Sequence, residues 1–125
     1  MIDLLASSII AVFTGLLSGP SPAATPFGLW QRADAQVEAR FSSCDDKLCA
    51  RLTEVHGKNR QVKTGATLVQ SAALTSHNMW EGRVLDLDSG NMVAGVITLQ
   101  GRDTLTVKSC TALVFCRVES WSRVR

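Results

Sequence analysis

Residues 78–110 constrain this chain more than any other stretch. Three β-rich runs, residues 79–87, 91–99 and 103–110, stand in series with only Asp88-Ser89-Gly90 and Gln100-Gly101-Arg102 between them. Glycine at such short connections supplies the positive φ that tight hairpin turns demand, so the segment predicts an antiparallel meander. The last run alternates, with Leu105 and Val107 against Thr104, Thr106 and Lys108, as a sheet with one wet face requires. The middle run is apolar on both faces, Met92, Ala94 and Val96 alternating with Val93, Ile97 and Leu99, which places it centrally or under an outer covering.

The rest of the chain repeats this pattern. Val37, Ala39 and Phe41 alternate with Gln36, Glu38 and Arg40; the turn Ser42-Ser43-Cys44-Asp45-Asp46 reverses the chain, and Leu48, Ala50 and Leu52 form the inward set of the return strand. Residues 66–74 fit a strand or a short helix equally well. A short entry strand over residues 25–31 and a closing strand over residues 114–124 bring the count to about eight, with no helix predicted. Eight antiparallel strands in roughly 100 residues close into a small up-and-down barrel, which removes sheet edges; an open sandwich is the alternative.

With 125 residues the chain has room for one domain. Residues 4–19 carry no charge and are followed by Pro20-Ser21-Pro22-Ala23-Ala24, the pattern of a secretory signal cleaved near Ala23 or Ala24. The expected organisation is a signal peptide over residues 1–24 and one domain over 25–125, in a periplasmic or secreted protein. Met1-Ile2-Asp3 lacks the usual basic n-region, so an uncleaved segment is the one expected route to a membrane. Loss of the leader takes Asp3 from eleven acidic residues and moves the net charge from +2 to +3. With cations scattered among carboxylates and no Tyr, nothing resembles a nucleic-acid surface.

The four cysteines, Cys44, Cys49, Cys110 and Cys116, read as two disulfides in an oxidising compartment. Three pairings are open. Loop entropy assigns about 2 kcal/mol to a small local ring and roughly 4 to a bridge such as 49 to 110, while proximity favours 44 with 49 and 110 with 116. A four-thiolate zinc site is disfavoured by spacing and compartment, so no metal or other cofactor is expected. No catalytic residue is nominated: His56 and His77 fall in predicted loops, and no nucleophile elbow, phosphate loop or paired-histidine motif occurs. Residues 86–91 hint at a calcium loop, but Ile97 stands where the twelfth-position Glu belongs. The polar connection over residues 56–65 is a solvated loop or a cationic rim.

Gly28-x-Trp30, Cys44-Asp-Asp-Lys-Leu-Cys49-Ala-Arg-Leu, Trp80-x-Gly82-x-Val84, Leu105-x-Val107-Lys108-x-Cys110 and Trp121-Ser-Arg123-Val124 together resemble the bacterial exported family called domain of unknown function 2147. The resemblance covers essentially the whole mature chain and implies a lipocalin-like barrel of unassigned activity. It also implies a barrel floor made by Gly28, Trp30, Trp121 and Arg123, with the Arg123 guanidinium on the Trp30 indole. The expected function is non-enzymatic binding of a small apolar or amphipathic ligand at residues the sequence does not identify, Gly82, Ala94 and Gly95 leaving internal room. The rival is an envelope protein-interaction or structural module with a filled barrel.

Overall fold

The computed structural model describes residues 24–57, 62–112 and 114–125; the leader reading for residues 1–23 lies outside them. Eight strands follow in order: β1 (Gly28–Arg32), β2 (Val37–Cys44), β3 (Lys47–Val55), β4 (Thr67–Ser76), β5 (Met79–Leu85), β6 (Met92–Gln100), β7 (Thr104–Thr111) and β8 (Phe115–Arg123). Each pairs antiparallel with the next and β8 pairs with β1, so the sheet closes into a barrel.

Alternation decides which side chains fill it. Val37, Ala39 and Phe41 of β2, Leu48, Ala50 and Leu52 of β3, and Leu105 and Val107 of β7 are all buried, as the two-residue period predicts. Trp30 and Trp121 join them, and Phe41 meets both indoles edge-on at centroid distances of 6.5 and 6.4 Å. Burying each side chain of this size stabilises the fold by about 1.5–3 kcal/mol. Val62, from the connection between β3 and β4, also reaches the core, so this loop is not wholly solvated.

The turns follow local chemistry. Asp45 and Asp46 both take positive φ between the paired Cys44 and Lys47, a two-residue turn of the primed kind that suits strand twist. The reversal is therefore tighter than the sequence suggests, and β2 runs on to Cys44. Asp86 Oδ1 accepts the backbone N–H groups of Asp88 and Ser89, so the calcium-like stretch is a self-capped loop.

Of the stretch 66–74, ambiguous in sequence, all but Ala66 belongs to β4. The register slips between Gln70 and Ala73, with Ser71 at φ 46°, and consecutive Leu68 and Val69 are both buried. This bulge breaks the period that would have identified a strand. In β6, Ile97 and Leu99 point inward while Ala94 is exposed; the strand is flanked on both sides, and its outer apolar set faces water.

Candidate functional site: a charged opening beside the barrel seam

The floor residues come together. The Arg123 guanidinium lies 4.4 Å from the centre of the Trp30 ring and donates hydrogen bonds to the carbonyls of Thr25, Phe27 and Arg102. Trp30 Nε1 donates to the Pro26 carbonyl at 2.8 Å. Gly28, at φ 126°, lies where a β-carbon would stand 3.1 Å from Arg123 Nη1, so its bareness admits the guanidinium. Trp121 is buried beside Phe41, its Nε1 without a hydrogen-bond partner among the described residues. This end is sealed.

The interior holds no room at the positions the sequence suggested. A β-carbon on Gly82 would meet Ala72 Cα at 2.7 Å, and one on Gly95 would meet Val84 Cγ2 at 2.4 Å. Their missing side chains admit neighbouring strands rather than a ligand, and Ala94 faces outward and is exposed.

The feature left over is at the seam. β7 pairs with all nine residues of β8 apart from Arg123, but the β1 register runs only from Trp30↔Arg123 to Arg32↔Trp121. One more bond, from Ala33 N–H to the Ser120 carbonyl, ends the seam before the chain turns away into β2. Beside residues 115–119 no strand of the described residues stands on the β1 side. A recess of about 510 Å³ opens there, lined by Arg32, Asp34, Asp88, Arg117, Val118 and Glu119.

Period two explains why charges line it. Glu119 and Arg117 lie two and four residues before Trp121 and share its inward face, while Arg32 lies two after Trp30. Arg32 is only 9% exposed; it grips Asp34 through Nε and Nη2 at 3.0 and 2.5 Å and reaches Glu119 Oε2 from Nη1 at 3.2 Å. Burial opposes the Arg32 charge, yet the bond to Asp34 and the charges of Glu119, Asp34 and Asp88 outweigh it and raise its pKa. Glu119, 22% exposed, is pushed above the ordinary carboxylate range by burial, against the pull of Arg32 and Arg117. Arg117 pairs with Asp88 at the rim.

These residues were not singled out from the sequence, although the signal existed. Extending the inward face of Trp30 and Trp121 by two-residue steps reaches Arg32, Glu119 and Arg117. The closing strand reads in sequence as Val, Phe and Trp alternating with polar residues, but Val118 and Phe115 are both exposed, Val118 on the outer face and Phe115 at the barrel mouth.

Cys44 is bridged to Cys49 and Cys110 to Cys116, the local pairing. The second bridge joins directly opposed residues at the β7–β8 hairpin, next to exposed Val114 and Phe115. His56 is exposed and pairs with Glu54. Among the described residues no group of His, Cys, Asp and Glu could hold a metal ion, and no helix is long and apolar enough to cross a membrane.

No curated protein and no solved structure matches the chain. A protein-family match covers residues 28–123, from the first strand to the last, and the two disulfides are compatible with a location outside the cytoplasm. The barrel fits a lipocalin-like description, and the chain belongs to the bacterial family described as an uncharacterised protein conserved in bacteria, domain of unknown function 2147.

Proposed function

We propose that this protein is a non-enzymatic binding module of the periplasm or the extracellular space, and that its binding surface is the side opening between β1 and β8. The observation that carries this reading is the contrast between a filled interior and a concave, charge-lined recess in the wall. Trp30, Trp121, Phe41, Leu48, Leu52 and Ile97 are each less than 2% exposed, so the barrel centre is occupied by its own side chains. Arg32 and Glu119, by contrast, form a largely desolvated pair at the base of an accessible recess, where polar groups on a ligand meet little competing water.

A second reading keeps a small amphipathic ligand in the same place. It is favoured by the recess volume of about 510 Å³, inside the span of roughly 300–1,000 Å³ typical of small-molecule sites, and by Val118 beside the charges. Both readings are tested by native mass spectrometry of protein taken from its own compartment, followed by mapping of any retained ligand on amide resonances. Shifts confined to Arg32 and residues 117–120 are expected. Shifts centred on Ile97 and Leu105 inside the barrel would sink the surface reading.

A further inference from the structure

The opening is also a place where β8 runs on past the end of β1. Hydrogen bonds across the seam join Leu29 with Val124 and Ala33 with Ser120, so alternate residues of β8 turn their backbone groups toward β1. The same alternation aims the N–H and C=O groups of Val118 and Cys116 into the gap, where no described residue meets them. Among the described residues, residues 115–119 are thus paired on one side only.

Exposed edges are usually blunted by proline, lysine or a bulge, because unpaired backbone groups recruit other strands. β8 has no proline, lysine or bulge over residues 115–119; it carries two charges on its inward face, Arg117 and Glu119, and presents Val118 outward, 63% exposed. Glu119 offers one carboxylate oxygen to Arg32, and its Oε1 has no recorded partner among the described residues.

Resting on the binding-module reading above, the geometry points to an extended segment of a partner protein as the occupant. It lies in the gap as an added strand above β1, hydrogen-bonded to Val118 and Cys116, with a lysine or arginine set against Glu119 and apolar residues beside Val118. Main-chain bonds supply the attachment and the alternating side chains the selectivity, the usual division in strand addition.

The probe is acetyl-Thr-Val-Lys-Val-Thr-amide, titrated into the oxidised protein with amide shifts and hydrogen exchange as readouts. Exchange at the Val118 and Cys116 amides is expected to slow at least about tenfold at saturation, the equivalent of about 1.4 kcal/mol. The peptide N-methylated at both valines, and the peptide with Glu for Lys, are each expected to bind at least about tenfold more weakly, and Glu119→Gln to erase the preference for Lys over Glu. Val118→Pro, which removes an amide that bonds to none of the described residues, is expected to remain folded and to lose the peptide.

Equal binding of the N-methylated peptide, or unprotected Val118 and Cys116 amides, would overturn the inference; Arg117 and Glu119 would then be inward charges that guard the edge. n-Butylammonium separates the two levels. If it shifts the recess while the peptide does not, the strand-addition inference falls and the binding-module reading stands; if neither probe shifts the recess, both fall.

Discussion

The guanidinium of Arg123, on the last strand, lies over the indole of Trp30, on the first, 4.4 Å from the ring centre, while donating to three backbone carbonyls. The contact ties together the two ends of the folded sheet, and it does so at a strand pair only three residues long. A short seam supplies few ladder bonds, so this side-chain clasp carries a large share of the closure.

Replacing Arg123 by Lys keeps the charge but loses the planar stack and the fork of donors. A loss of about 1–2 kcal/mol is expected from the cation–π term and the carbonyl bonds together, read as a lower urea midpoint with Trp fluorescence as probe. A midpoint equal to wild type would show that the seam closes without the clasp.

Gly82→Ala places a methyl group against the Ala72 backbone at 2.7 Å, where no flexible side chain can yield. Overpacking against main chain is expected to cost about 2–3 kcal/mol, measured by chemical denaturation. Had the glycine left space for a ligand, the same change would be close to neutral.

The backbone direction of β8 is open to a paired test. The Arg117 amide faces β7, in register with Ser109, whereas the Val118 amide faces the gap. Arg117→Pro should cost about 3 kcal/mol and Val118→Pro less than about 1 kcal/mol, compared by thermal unfolding. The reverse order would mean that the edge of β8 is covered.

Each disulfide closes a ring of only a few residues, with sequence separations of 5 and 6. Replacing Cys110 and Cys116 together by Ser is therefore expected to cost about 2 kcal/mol while leaving the barrel folded, checked by denaturation and by near-ultraviolet circular dichroism.

Glu119 gives the pH dependence a definite sign. Its folded pKa is raised, so between the ordinary carboxylate value and the raised one the native state holds a proton that the unfolded state has released. The stability contributed by this group falls as pH rises through that window and is constant above it. Denaturation of wild type and Glu119→Gln from about pH 4 to pH 8 should show the wild-type stability, relative to the variant, declining with pH. A rising difference would mean that attraction to Arg32 outweighs the burial of the carboxyl.

Strand identity, the inward faces of β2, β3 and β7, and the hairpin order were legible from residues alone because each depends on a period of two or on a turn a few residues long. Val37, Ala39 and Phe41 need no distant partner to declare their face. The chain also carried its floor in the Gly28-x-Trp30 and Trp121-Ser-Arg123 patterns, which proximity in the closed sheet turned into one contact. Where the period failed, at the Ser71 bulge, local reading failed with it.

The opening could not be read that way. Whether residues 115–119 have a neighbour depends on where β1 stops, and β1 lies some 87 residues earlier in the chain, as the Arg32–Glu119 bond records. Strand length at a seam is set by the register of two remote segments and by the turn that carries Ala33 and Asp34 away, quantities that no local pattern encodes. The alternation of β8 decides that Glu119 points inward, and the closed sheet decides that inward, past the end of β1, is also accessible.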